Sequence, residues 1–311
     1  MKVEVIEPHG FCAGVTHAVK CALAALRDEG EEGGGGRLYC LHELVHNELV
    51  VEDLKGRGMV FVEALEEVPE GARVLFSAHG VAPKVREDAA ARKLEVLDAT
   101  CPFVGRVHDD VRRYAAEGAK VVIIGHRNHA ETIGTAGEMP NAADVVAIAS
   151  VEEVDAIPFD VAAKVGVAVQ TTMNQDEIAP VLDALKKRFA NLEICASAGV
   201  CRATKERQDA VRKFVEGALP RKTGVLVLGS ANSSNTRRLE EIAKASGACW
   251  SARAGSLRDI EGLQIPPLDV LGITSGASTP ETFLRAAIQV LAKLERPGGL
   301  ISGEGFDIIA P

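Results

Sequence analysis

Long apolar runs are missing from this sequence; none approaches the roughly 18 residues that a membrane-crossing helix requires. Its first residues, MKVEVIE, alternate as a strand does and carry no secretory leader, so a cytoplasmic protein with no membrane role is expected. Aromatics are only 4% of the 311 residues, and the net charge is −9. That balance gives no nucleic-acid footprint. It also means that an anionic ligand must be captured by local groups against a repelling field. No GxGxxG, no GK[ST] after the glycines at 33–36 and no GxSxG elbow occurs. Dinucleotide cofactors, P-loop phosphate binding and an esterase-type nucleophile therefore have no visible motif. The seven cysteines do not fall into the paired C-x₂₋₄-C spacing of structural zinc sites. Their odd number argues for free thiols in a reducing compartment.

What the chain does have is a repeat. Cys12, Cys101 and Cys201 each stand where an apolar strand ends and an amphipathic helix begins, about one hundred residues apart. The runs are VEVIEPHGFCAGV, EVLDATCPFV and EICASAGVCRATKERQ. After each cysteine comes a helix, then a strand with a polar end: RLYCL into HELVHN, KVVIIG into HRNHAE, GVLVLG into SANSSN. A helix, a weaker strand and a third strong strand follow, the last ending at His79, Thr171 or Ser278. The first two units close with the strand that delivers the next cysteine. The third has none after TPETFLRAAIQVLAKL, and the N-terminal KVEVIE is the natural substitute. Such alternation predicts parallel βα units with right-handed crossovers. The expected fold is α/β: three similar domains with small parallel sheets around a pseudo-threefold axis. Their bounds are 13–99, 100–199 and 200–285, the last completed by 1–12, with 286–311 as a helix end and tail. Gly33–Gly36 reads as a flexible linker, and the tail is expected to fold back as a short strand.

Strand ends in a parallel sheet face the ligand side, so three packed units bring three thiolates to one point. All eight histidines lie within the first 129 residues, and His42, His79 and His129 fall at strand ends. With Glu131, Thr171, Ser233, Asn235 and Ser278 they ring the centre with hydrogen-bonding groups, enough with helix N-termini to hold a di- or triphosphate. Glu131, the one carboxylate of the set, is the natural proton donor if it is buried. Ser278-Thr279-Pro280-Glu281 reads as a helix cap with a capping box. Cys21, Cys40, Cys195 and Cys249 read as small buried hydrophobes. His42-Glu43-Leu44-Val45-His46 matches HExxH, but zincin chemistry needs both histidines on one helical face, and RLYCL before it is strand-like. Three thiolates suit either a Cys₃His zinc or an iron–sulfur cluster. A [4Fe–4S] cluster usually takes four cysteines, so three leave one iron open to substrate.

The segments GFCAGV, HELVHN, FSAHGV, DATCPFV, GHRNHAE, QTT, CRATKERQ, GSANSSN and TSGAS, in order over about residues 3 to 285, resemble the 4-hydroxy-3-methylbut-2-enyl diphosphate reductase (IspH/LytB) family. The resemblance implies a trefoil of three α/β domains around a central [4Fe–4S] cluster, held by Cys12, Cys101 and Cys201 with one open iron. It implies reductive dehydroxylation of an allylic diphosphate to isopentenyl and dimethylallyl diphosphate, with electrons from a ferredoxin or flavodoxin. His42, His79, Ser233, Asn235 and Ser278 would bind the diphosphate, assisted by His129 and Ser234. Glu131 and Thr171 would handle the hydroxyl and its proton, with Gln170 nearby. The chain departs from the family pattern at Ala130, where proline is common, at Arg202 and Lys205, and at the Gly33–Gly36 insertion. A non-catalytic iron–sulfur sensor or carrier, a redox-neutral iron–sulfur dehydratase and a zinc hydrolase are the competing expectations.

Overall fold

The computed structural model describes residues 1–31, 37–195 and 198–294. The expected linker at Gly33–Gly36 and the expected strand in the tail lie outside the described residues. The chain opens with β1 (Lys2–Val5) and α1 (Ala13–Glu31). Next come β2 (Tyr39–Leu41), α2 (Glu48–Gly56), β3 (Val60–Val62), β4 (Arg73–Phe76), α3 (Pro83–Ala91) and β5 (Glu95–Asp98). The middle third holds α4 (Pro102–Ala116), β6 (Lys120–Ile124), α5 (Ala130–Ala136), β7 (Val145–Ile148), β8 (Lys164–Val169), α6 (Gln175–Arg188) and β9 (Asn191–Ile194). The last third holds α7 (Arg202–Ala218), β10 (Thr223–Leu228), α8 (Ser234–Ala245), β11 (Trp250–Ala254), α9 (Leu257–Glu261), β12 (Val270–Ser275) and α10 (Glu281–Leu294).

The strands form three four-stranded parallel sheets of one topology: β3-β2-β4-β5, β7-β6-β8-β9 and β11-β10-β12-β1. The N-terminal strand does complete the last sheet, with Val3 opposite Leu271 and Val5 opposite Ile273. β10 and β12 are buried at every residue, as near-continuous apolar strands are when helices cover both faces of a parallel sheet. The outer strands β1, β5 and β9 are more exposed and carry Glu4, Glu95 and Glu193. Charge of this kind blunts an open sheet edge.

The helix after each cysteine packs on the sheet that follows it in sequence. Val107, Val111 and Tyr114 of α4 share a core with Val121 and Ile123 of β6, and Val211 and Val215 of α7 share one with Val225 and Val227 of β10. Tyr114 and Phe214 stand at the same remove from Cys101 and Cys201, and each covers a strand glycine. A Cβ on Gly166 or on Gly272 would lie 2.4 Å from the ring above it. The equivalent positions in the first repeat are Ala25 and Leu75, so the small and large partners trade sides. Arg73 Nη1 ties β4 to α1 through the Ala25 carbonyl (3.3 Å).

By packing, the chain divides into two compact units. One comprises residues 1–16, 45–57 and those from 202 on, with the sheet of β1, β10, β11 and β12. The other comprises 17–44 and 58–201 and holds the remaining two sheets. Among the described residues no helix is long and apolar enough to cross a membrane.

Two expectations need correction. Cys249 is exposed, because β11 begins only at Trp250 and the cysteine lies in the preceding turn, its thiol donating to the Thr223 carbonyl (3.3 Å); Cys21 is only half-buried. Ser278 is spent elsewhere than on a cap for α10: its hydroxyl donates to the His46 carbonyl at 2.9 Å.

Candidate active site

Each of the three repeat cysteines immediately precedes a helix, and one hydrogen bond recurs at all of them. The N–H of Cys12 donates to Ala277 O (2.9 Å), that of Cys101 to Ala78 O (3.0 Å) and that of Cys201 to Thr171 O (3.0 Å). Each acceptor is the second residue beyond the third strand of its sheet. Parallel pairing of the last strand with its neighbour thus continues for one bond past the sheet and sets the cysteine at the helix start. None of the three is in a disulfide, and all are half-buried. Cys101 is the N-cap of α4, with Pro102 in its first turn; proline suits that place because its missing N–H had no helical partner to find. Val15 N–H points at Cys12 Sγ (3.4 Å). Burial pushes the Cys40 thiol up to about 12, so it stays protonated.

Within the unit holding residues 58–201, the expected site residues form one connected array. The Glu131 carboxylate is 3% exposed and accepts from Thr171 N–H (2.6 Å) and Thr171 Oγ1 (2.9 Å). Thr171 in turn offers its carbonyl to Cys201. On the other side, His129 caps α5 and its Nδ1 accepts from Glu131 N–H at 3.2 Å. Accepting at Nδ1 places the proton of a neutral ring on Nε2. The His129 ring meets His79 edge-on, with centroids 5.9 Å apart. His79 lies beside Ser77 Oγ (3.3 Å), one residue past the Ala78 carbonyl that holds Cys101. A chain of adjacent contacts thus runs from Cys201 through Thr171, Glu131, His129 and His79 to Cys101.

The other unit carries a second set. Ser233 caps α8, its Oγ accepting from Thr236 N–H (3.3 Å). In the first turn of that helix Ser234 is 2% and Asn235 4% exposed. The Ser234 hydroxyl and both amide atoms of Asn235 are buried with no hydrogen-bond partner among the described residues. An unsatisfied buried polar group costs about 1–3 kcal/mol. Two of these atoms, the Ser234 hydroxyl and the Asn235 amide nitrogen, can donate, and unmet donors at a helix N-terminus fit an anionic ligand. The Cys12 loop is anchored here by Gly10 N–H to Ser275 Oγ (2.8 Å) and by the buried Arg207, whose Nη2 donates to Gly10 O (2.9 Å).

Some expected residues stand differently. His42 sits at the end of β2 with φ 59°, a left-handed conformation rare outside glycine, and its exposed ring pairs with Glu63 (3.0 Å). Gln170 is buried, but its amide is used internally, accepting from His126 N–H (2.9 Å) and donating to Thr172 Oγ1 (2.8 Å). It holds the loop before α5. The HExxH segment is a bend from residue 42 to the start of α2, so its histidines share no helical face. Among the described residues no three His, Cys, Asp or Glu side chains are grouped as a single metal ion would need.

Sequence reasoning missed Arg207 and the buried pair of His108 and Glu138, which the exposed Arg112 joins. His108 Nδ1 lies 2.8 Å from Glu138 Oε1, and Arg112 Nη1 lies 2.8 Å from Oε2. Burial alone raises the Glu138 pKa, but the hydrogen bonds and charges of His108 and Arg112 outweigh it and hold the carboxyl below its ordinary range. The available signal was a histidine within the apolar stripe of α4, between Val104, Val107 and Val111.

Comparison with known proteins gives one consistent result. The LytB protein family matches residues 3–292. A 4-hydroxy-3-methylbut-2-enyl diphosphate reductase of Tolumonas auensis is 39% identical over 317 residues, covering 99% of this chain and 98% of the relative. One from Brucella abortus is 42% identical, covering 98% and 88%. Among solved structures, the E-1-hydroxy-2-methyl-but-2-enyl-4-diphosphate reductase of Plasmodium falciparum superposes with a TM-score of 0.85 at 31% identity, covering 95% of this chain and 88% of that one. With the family matched over nearly its whole length, the chain belongs to the LytB protein family.

Proposed function

We propose that the protein converts (E)-4-hydroxy-3-methylbut-2-enyl diphosphate to isopentenyl and dimethylallyl diphosphate in the non-mevalonate pathway. Two electrons and two protons enter, the allylic C–O bond breaks and one water leaves. The observation that carries this reading is the buried Glu131 carboxyl, bound by both donors of Thr171, the residue whose carbonyl receives Cys201.

Cys12, Cys101 and Cys201 would hold a [4Fe–4S] cluster with one iron left open. The donor set fits: three cysteines at helix starts, none in a disulfide, one of them already receiving an amide N–H. When bound, it supplies electrons one at a time and a Lewis-acidic iron for the departing oxygen. The protein's part is to bind and to move protons. Ser233, Asn235 and Ser278 with His42 and His79 take the diphosphate, assisted by His129 and Ser234; the unpaired Asn235 and Ser234 atoms support this directly. Glu131 delivers a proton through the Thr171 hydroxyl to the leaving oxygen. Gln170 keeps α5 in place for that transfer. The electron donor is a ferredoxin or flavodoxin, and the compartment is the cytoplasm. We take the domains as 13–99, 100–199 and 200–285 with 1–12, arranged as a trefoil around the cluster. A sensor or carrier is disfavoured, since electron transfer alone has no use for a buried acid or for unpaired anion-binding atoms.

The test is anaerobic purification with iron, acid-labile sulfide and zinc measured per chain, followed by turnover with a reduced viologen dye. About four irons with matching sulfide are expected, together with both five-carbon products. Cys101→Ala should lower the iron content and abolish turnover. Zinc without sulfide, from an iron-replete preparation, would overturn the reading.

A further inference from the structure

His108 lies at the meeting point of three elements that carry the proposed site. It projects from α4, the helix begun by Cys101, and is 3% exposed. A Cβ on Gly80, the residue after His79, would stand 2.9 Å from its Cε1 and 3.3 Å from its Nε2. A Cβ on Gly134, one turn after Glu131 in α5, would stand 3.5 Å from the same Cε1 and 3.2 Å from the Gly80 carbonyl. One on Gly137 would stand 2.3 Å from the Ala82 Cβ. The His79 loop and the Glu131 helix thus pack backbone to backbone, and the imidazole is wedged beside both. Its other nitrogen is tied to Glu138, just past the end of α5, which Arg112 of α4 grips from the second oxygen.

A buried ion pair is seldom more stabilising than apolar side chains of similar volume. A leucine would fill this space; it would not fix the orientation of α5 against α4. His108 Nε2 is, besides, buried with no hydrogen-bond partner among the described residues, a cost that packing does not require. We propose that His108, oriented by Glu138 and Arg112, is a positioning residue that holds the His79 loop and the Glu131 helix in register, an inference that rests on the reductase reading above. Of the two segments it stands closer to Gly80 than to Gly134, so its first effect is on how His79 and the edge-on His129 present themselves to the diphosphate.

The experiment compares anaerobically loaded wild type, His108→Leu and Glu138→Gln by kcat, KM, the dissociation constant for inorganic pyrophosphate, iron content and the electron paramagnetic resonance of the reduced cluster. His108→Leu should raise KM and weaken pyrophosphate roughly tenfold, equivalent to about 1.4 kcal/mol. Its kcat should stay within about threefold, because loss of uniform binding leaves kcat untouched. Iron content and the resonance spectrum should not change. Glu138→Gln keeps an acceptor for the imidazole and should retain most of the affinity. Wild-type KM and pyrophosphate affinity in loaded His108→Leu overturns the proposal. If that variant does not fold, Glu138→Ala, which removes the acceptor that orients the ring, carries the same expectation, and wild-type affinity there is equally fatal. No turnover by the wild type would instead sink the reductase reading, and the pyrophosphate titration would still decide the role of His108.

Discussion

Glu131→Gln separates chemistry from folding at the centre of the proposed mechanism. The carboxylate accepts two hydrogen bonds, 2.6 Å from Thr171 N–H and 2.9 Å from Thr171 Oγ1. The amide oxygen of glutamine can keep the backbone bond. Its NH₂ then faces the threonine hydroxyl, which rotates to accept instead of donate. Both contacts survive, so the stability loss should be no more than about 1 kcal/mol, the net worth of one hydrogen bond. Catalysis has no such escape, since glutamine has no acidic proton to give. A positioned general acid contributes roughly 10²–10⁴ in rate, and kcat should fall by a factor in that range with KM little changed. The assay is single-turnover reduction with a reduced viologen dye, with thermal unfolding and iron content measured on the same preparations. A loaded variant with kcat within about threefold of wild type would refute the argument. The proton would then come from elsewhere, and the burial of Glu131 would be structural.

The remaining predictions concern packing and acid stability. Gly166→Ala sets a methyl 2.4 Å from the fully buried Tyr114 ring, and overpacking of this kind costs about 1–3 kcal/mol. A lower thermal midpoint is expected, and an unchanged one would mean that the ring has room to shift. For Glu138 the folded pKa lies below the ordinary value of 4.5, so its stabilisation is present above that value and lost as pH falls through the folded one. Unfolding free energies of wild type and Glu138→Gln should therefore differ at neutral pH and converge as pH falls from the ordinary carboxylate value through the lower folded one; a difference that persists undiminished to acid would contradict the assignment.

Much of this protein was legible along the chain because helices and strands leave a local period. Buried central strands such as VLVL and VGVAV announce themselves, and the recurrence of a cysteine at each strand-to-helix passage marks the repeat. The candidate site was visible as residue types at strand ends, since parallel sheets put their ligand edge there. Even the closure of the last sheet by β1 followed from counting, as the third repeat lacked a fourth strand. Pairing between side chains was not legible in the same way. That Thr171 offers both donors to Glu131, that Ser278 serves His46 in place of a helix cap, and that Gln170 spends its amide on His126 are matters of distance between segments far apart in sequence. The sequence does not single out His108, whose place is set by Gly80, Gly134 and Glu138 packed against it. Periodicity is written residue by residue and specifies which face is buried; which groups then meet across that face depends on crossings that only the folded chain makes.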